Sequence, residues 1–255
     1  MISKNELLEI AKLMGMTPWQ QEKHYMQYLA LNSIAEEPLV FKGGTYLWFT
    51  QGLDRFSEDL DFTASEHLSH NVAEKVSRNL GLFGVENKIK LITDNETSLS
   101  FRISAKGPLN TAKMDECIVY VEISKREQIL KKTLPVKLDY PPYSLPIKTL
   151  SGMALEEVGA EKVRAIFTRQ KARDVYDLYY LITKKDIKFD EDLINLKLQY
   201  YKVRFSTAQF LKSVADKQDY YDRELKGLVF GELPEFREVK KHISDWINKK
   251  FTSVN

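Results

Sequence analysis

Apolar positions in the first part of the chain recur at helical spacing. Leu7, Leu8, Ile10 and Ala11 form one stripe. Ser3 with Glu6 three residues on makes a capping-box pattern at its start, and Gly15 closes it. A second helix is predicted from Thr17, with Pro18 at its first position and Gln20 completing another capping box. It runs through Tyr25, Met26, Leu29, Ala30 and Ile34 to about Ala35. Pro38 breaks that spacing, and Leu39-Val40-Phe41 suits a short buried strand. Lys42-Gly43-Gly44-Thr45 reads as a glycine turn, followed by a short helix from Tyr46 that Gly52 can terminate. Glu58-Asp59-Leu60-Asp61-Phe62 then reads as a strand with alternating faces. A helix is expected from about Ser65 to Leu80. Beyond Gly84 the period changes to two, predicting strands over 88–92, 98–103 and 118–123, with Asp94-Asn95 as a turn between the first two, and a further strand over 135–138.

Tyr140-Pro141-Pro142-Tyr143-Ser144-Leu145-Pro146 holds three prolines and is the best candidate for a domain connection. Beyond it everything reads helical: Leu150 to Thr168, Arg173 to Thr183, and segments near 190–204, 206–217 and 235–250. The expected fold class is α+β: a mixed sheet with flanking helices in residues 1–145, then a helical bundle in residues 146–255.

Composition narrows the class. Hydrophobic residues make up 43% and charged residues 29%, which gives a real core and argues against disorder. The formal net charge is only +2, so no global basic field demands nucleic acid. Lysines do gather toward the C-terminal half, as either a solvated helical surface or an RNA-facing one. The single cysteine, Cys117, allows no intrachain disulfide and sits in an apolar run. The N-terminus lacks a signal-peptide core, and no apolar run is long enough to span a membrane. A cytoplasmic protein is expected.

The candidate chemistry starts at Asp59 and Asp61. On a strand these side chains project the same way while Leu60 and Phe62 pack inward. Paired carboxylates suit a hard cation such as Mg²⁺, with Mn²⁺ as a substitute, whose remaining ligands come from substrate phosphates. Acidic pairs of this kind are common, so the context matters. Gly43 and Gly44 lie just upstream, where backbone N–H groups and a helix N-terminus can approach a phosphate, and Thr45 adds a hydroxyl. Ser57 either bonds a phosphate or caps the strand entry. Arg55 pairs with Asp61 or Glu58, or meets a triphosphate. Glu122 sits in an alternating strand on the face shared by Tyr120 and Ser124. That face either turns toward Asp59 and Asp61, making Glu122 a third metal ligand, or is exposed. Lys162 and Arg169 share a helix face, as do Asp174 and Asp177. These are either surface ion pairs or groups that neutralise and orient a triphosphate. Tyr176, Tyr179 and Tyr180 are stacking candidates for RNA or helix core. His67 and His70 lack partners at metal-binding spacing, so no histidine metal site is expected.

Lys42-Gly43-Gly44-Thr45, followed by Gly52-Leu53-Asp54-Arg55-Phe56-Ser57-Glu58-Asp59-Leu60-Asp61-Phe62, resembles the first motif of the AbiEii/AbiGii toxin family of nucleotidyltransferases, which includes the mycobacterial MenT toxins. Glu161-Lys162 and Arg173-Asp174-Val175-Tyr176-Asp177-Leu178 resemble its later motifs in the same order. The resemblance implies a fold of the DNA polymerase β type followed by a helical domain. It implies a toxin of a toxin–antitoxin or abortive-infection system, with a cognate antitoxin. It also implies an activity that moves a nucleoside monophosphate from an NTP to an acceptor, in some members the 3′ end of tRNA. By this resemblance Asp59 and Asp61 are the metal-binding acids, Lys162 the catalytic lysine and Asp174 the late catalytic aspartate. Lys42, Gly43, Gly44, Thr45, Arg55, Ser57 and Asp177 then belong to the nucleotide site, with Ser57 near the phosphates. Glu122 stands where the family usually has aspartate. Asp177 is the alternative to Asp174. Two competing functions remain: a sugar-nucleotide transferase, which leaves the glycine turn unexplained, and a non-catalytic module binding nucleotide or antitoxin.

Overall fold

A computed structural model describes residues 1–68 and 71–251. It divides into two compact units. The first comprises Met1–Thr50, Glu58–Ile129 and Thr133–Gly152, and the second Gln51–Ser57, Leu130–Lys132 and Met153 onward.

The first unit is built on four helices, α1 (Lys4–Met14), α2 (Pro18–Ile34), α3 (Gly43–Gln51) and α4 (Val72–Leu82). Its strands are β1 (Leu39–Lys42), β2 (Leu60–Ala64), β3 (Asn87–Asp94), β4 (Ser98–Ala105), β5 (Cys117–Ser124), β6 (Leu134–Leu138) and β7 (Lys148–Gly152). They form one mixed sheet in the order β3-β4-β5-β2-β1-β7-β6. The pairs β2–β5 and β1–β7 are parallel and the rest antiparallel. Local chemistry sets the first elements as the spacing predicts. Ser3 and Glu6 cap α1 reciprocally, and Gly15 ends it in the left-handed region at φ 66°. The Gln20 side-chain oxygen accepts from both the amide and the hydroxyl of Thr17 at the start of α2. Asn95 closes the β3–β4 turn by accepting from the amides of Thr97 and Ser98. On the inner face of the sheet Phe41 and Phe62 stack at 5.2 Å, and Tyr46 meets Phe41 edge-on.

Several expectations are corrected. The helix expected from Ser65 begins at Val72; Ser69 and His70 lie outside the described residues. The glycine turn is absent as a separate element, because α3 starts at Gly43 itself. The strand expected from Glu58 begins at Leu60. Leu150 lies not in a helix but in β7, where it pairs with Val136 and both are buried, since one apolar residue in a short alternating run fits a strand as well as a helix start. The proline-rich stretch is not a loose connection. Tyr143 is buried against α2, hydrogen-bonded to Gln21 and His24, and the carbonyl of Pro146 accepts from Asn32. The first unit therefore continues past it to the end of β7.

The second unit is helical. It contains α5 (Leu155–Thr168), α6 (Ala172–Lys184), α7 (Glu191–Leu198), α8 (Thr207–Ala215), α9 (Gln218–Leu225) and α10 (Phe236–Phe251). Val163 and Ile166 of α5, Val175 and Leu178 of α6, and Val239 and Ile243 of α10 recur at helical spacing and are buried. Burying each such side chain contributes about 1.5–3 kcal/mol. Helix α9 is unannounced in the sequence because Gln218-Asp219-Tyr220-Tyr221-Asp222-Arg223 shows almost no apolar stripe; Tyr221 and Leu225 are its buried residues. Lys197 forms ion pairs with Glu157 and Glu161, and the Glu157 carboxylate also accepts from the amides of Leu130 and Lys131, which fixes that segment to the unit.

His24 tests the packing of the first unit. Its ring lies among Trp48, Phe49, Tyr140 and Tyr143, with Nδ1 2.6 Å from the Tyr143 hydroxyl. Burial pushes it down from 6.5 to about 3, so it is neutral in the fold. The unfolded chain takes up that proton first. The contribution of His24 is therefore whole above pH 6.5 and is lost, at about 1.4 kcal/mol per pH unit, as the pH falls toward 3. Thermal denaturation should show the native protein losing more stability between pH 7 and pH 4.5 than His24→Phe does; equal losses would mean that the imidazole is not buried uncharged.

Candidate active site

In the first unit the site is set by the β1–β2 pair. Lys42, the last residue of β1, registers with Asp61 of β2, and the chain enters α3 immediately afterwards at Gly43. Gly43 is in the left-handed region at φ 78°, which strains any residue with a Cβ. A Cβ there would also overlap the Asp61 carboxylate, coming within 2.9 Å of its Cβ and Cγ. Only glycine lets the carboxylate lie against the start of α3. That helix N-terminus favours negative charge. Its anion-attracting end thus already faces Asp61, whatever phosphate it also meets.

Asp59 precedes β2 by one residue. Its backbone carbonyl accepts from the buried Thr45 hydroxyl, so Thr45 of α3 fixes the approach to the strand. Leu60 and Phe62 are buried while Asp59 and Asp61 are half-exposed, the alternation expected of the sequence. Glu122 registers with Asp61 on the parallel neighbour β5 and is exposed. Among the described residues no three His, Cys, Asp or Glu side chains form a group able to hold a metal ion. The donor set that fits a hard divalent ion is the pair Asp59 and Asp61, half-exposed oxygen ligands that leave most positions for phosphate and water. Lys42 is buried and paired with Glu127.

The remaining expected residues belong to the second unit, where they form a buried charge network. Arg55 donates to both oxygens of Asp177, at 2.6 and 2.7 Å, and to the carbonyl of Phe56 at 2.9 Å. Lys162 Nζ lies 2.6 Å from Asp177 and 3.0 Å from Asp174. Arg169 forms a second fork, with Nε 2.6 Å and Nη2 2.8 Å from the Asp174 oxygens. Arg55 is 3% exposed and Asp177 fully buried. Burial alone would raise both carboxyls. The Lys162 ammonium beside Arg169 overcomes this at Asp174, and Arg55 beside Lys162 does so at Asp177, so both are held below the ordinary carboxylate range. Burial would likewise lower Arg55, and Asp177 raises it instead.

Arg55 thus pairs with Asp177, a partner that spacing did not suggest because it lies far along the chain. The same helix fixes the rest of that motif: Tyr176 donates to Asp54 at 2.8 Å and Tyr180 to the carbonyl of Gln51 at 2.7 Å. Tyr176 and Tyr180 are buried, and Tyr179 sits edge-on to His242, so these tyrosines are packing residues, not a stacking platform. Ser57 is buried as well.

A family model described as the nucleotidyl transferase AbiEii toxin of type IV toxin–antitoxin systems matches residues 25–242. Among solved structures, JHP933 from Helicobacter pylori is similar with a TM-score of 0.64 at 20% identity, over 90% of this chain and 92% of that one. MenT4, a nucleotidyltransferase toxin from Mycobacterium tuberculosis H37Rv, is similar with a TM-score of 0.63 at 19% identity, over 96% of this chain and 88% of that one. At such identities the likeness is one of fold. Among curated proteins none matches the sequence.

The network predicts a large stability effect. Arg55→Met leaves a fully buried carboxylate facing Lys162 alone of its two ion-pair partners and should cost about 3–5 kcal/mol in urea denaturation. Adding Asp177→Asn should recover part of that loss. A cost below about 1 kcal/mol would show the pair to be solvated.

Proposed function

The chain belongs to the nucleotidyl transferase AbiEii toxin family, and we propose that this nucleotidyltransferase moves a nucleoside monophosphate from an NTP to a hydroxyl of RNA, at the 3′ end of tRNA, with Mg²⁺ or in its place Mn²⁺. In the reaction the acceptor oxygen bonds to the α-phosphorus, the α–β anhydride bond breaks and pyrophosphate leaves. The proton of the acceptor hydroxyl passes to solvent. The observation that carries the reading is the carboxylate pair, Asp61 seated against Gly43 at the start of α3 and Asp59 anchored through Thr45. When bound, the metal supplies charge neutralisation for the triphosphate and for the attacking oxygen. Asp59 and Asp61 would hold it.

Lys162 is proposed to balance charge on the leaving pyrophosphate. Two of its three N–H groups face Asp174 and Asp177, which leaves one for a ligand. Asp174 is held ionised, far below the range of a useful proton acceptor, and its oxygens are taken by Lys162 and Arg169. Its proposed role is therefore to orient Lys162. Arg55 and Asp177 support the same lysine. A cognate antitoxin is the regulatory partner that the family implies, and the cytoplasm, where tRNA is abundant, is the proposed site of action. Among the described residues no helix is long and apolar enough to cross a membrane.

Transfer of α-labelled nucleotides to total RNA with Mg²⁺, each of the four tested separately, checks the proposal. Label on a tRNA-sized species, abolished by Asp59→Ala and by Lys162→Ala, is the expected result. Nucleotide binding without label on any RNA would replace it with another acceptor or with a binding module. In the same assay Gly43→Ala, which displaces the Asp61 carboxylate by the width of a methyl group, should lower the rate about 100-fold. A rate within threefold of the native protein would show that the carboxylate tolerates the shift.

A further inference from the structure

The face of the sheet that carries Asp61 continues across β5, β4 and β3 of the first unit. Helix α2 packs on β5 and α4 on β3, and the residues pointing to that side, Val119, Val121, Phe101 and Ile103, are buried. The opposite face of the same strands is polar. Across it the register runs from Asp61 of β2 to Glu122 of β5, and one step along β5 on the same side is Tyr120. Tyr120 registers with Arg102 of β4, and Arg102 with Lys90 of β3. Lys88, two residues before Lys90, points the same way. The line from β2 to β3 crosses three strand spacings, about 14 Å.

Two observations together mark this strip. Half of the unit's twelve lysines, Lys42, Lys75, Lys106, Lys125, Lys137 and Lys148, reach a carboxylate. Among the described residues Lys88, Lys90 and Arg102 reach none, and the enclosed Nε of Arg102 has no hydrogen-bond partner at all. Tyr120 is 38% exposed although it lies on an interior strand of the sheet. Uncompensated cations beside an open aromatic ring match the chemistry of a single-stranded nucleic acid, with phosphates on the cations and a base on the ring.

We propose that this strip holds the single-stranded 3′ segment of the RNA acceptor, with a base stacked on Tyr120 and backbone phosphates on Arg102, Lys90 and Lys88, leading its terminal hydroxyl toward Asp61. The proposal rests on the RNA-acceptor reading above. The strip's occupant is nucleic acid, and its length along the sheet suits a short unpaired end. A duplex would present a wider surface.

Binding tests it independently of turnover. Fluorescence anisotropy with a labelled tRNA, and with a short single-stranded RNA of the same 3′ sequence, compares the native chain with Tyr120→Ala, Tyr120→Phe and the triple variant Lys88→Gln/Lys90→Gln/Arg102→Gln. These side chains are exposed or half-exposed, so the melting temperature should change little. Tyr120→Ala should weaken both RNAs about tenfold and Tyr120→Phe should restore binding. The triple variant should weaken binding and flatten the log–log salt dependence by about two, as expected for three lost contacts to single-stranded phosphates. Unchanged affinity and salt slope would overturn the proposal, as would a strip that affects only NTP binding. RNA bound through this strip but never labelled would sustain the inference while refuting the transfer reading. RNA labelled equally by all variants would do the reverse.

Discussion

Two buried carboxylates constrain the helical unit. Asp174 and Asp177 lie one turn apart on α6, both buried, and an ionised pair in such surroundings is tolerated only with cations in contact. Lys162 spans both, Arg55 forks onto one and Arg169 onto the other, three cations against two anions. This compensation decides where a segment more than a hundred residues upstream sits. Gln51–Ser57 belongs to the helical unit because Arg55, Asp54 and the Gln51 carbonyl each find a partner on α6. It also fixes the direction of the Lys162 ammonium more tightly than packing of its alkyl stem could.

In the sheet unit the corresponding constraint is steric. The β1–β2 register brings Asp61 beside the first residue of α3, and the space it occupies is the space of a side chain at Gly43. The adjacent glycines look like a phosphate loop in the sequence. In the structure at least the first of them makes room for a carboxylate. The two functions are compatible, since a helix start that accommodates an acid also attracts anions held by a metal on that acid.

The two constraints place the chemistry on different supports. The acids sit at the start of the central strand of a mixed sheet, and the lysine sits in a buried ionic network. The sheet face beyond the acids is polar, and among the described residues Lys88, Lys90 and Arg102 on it reach no carboxylate, while Lys42, Lys75, Lys106, Lys125, Lys137 and Lys148 of the same unit each do. Surfaces that bind polyanions show this imbalance locally, without a large net charge, and the chain as a whole carries only +2.

What the sequence determined by itself is what depends on near neighbours. The capping residues Ser3, Glu6 and Gln20, the C-cap Gly15, the Asn95 turn and the alternation around Asp59 and Asp61 are all chemistry within a few residues, and so are the motifs that carry the family resemblance. Tertiary structure alone decided what depends on residues distant in the chain. The strand Lys148–Gly152 exists because β1 and β6 flank it. The proline-rich stretch is ordered because Tyr143 finds His24 and Gln21. Arg55 pairs with Asp177, and Thr45 bonds the carbonyl of Asp59. No spacing rule encodes such partners, because burial creates the demand for them and burial is settled only when the whole unit has packed.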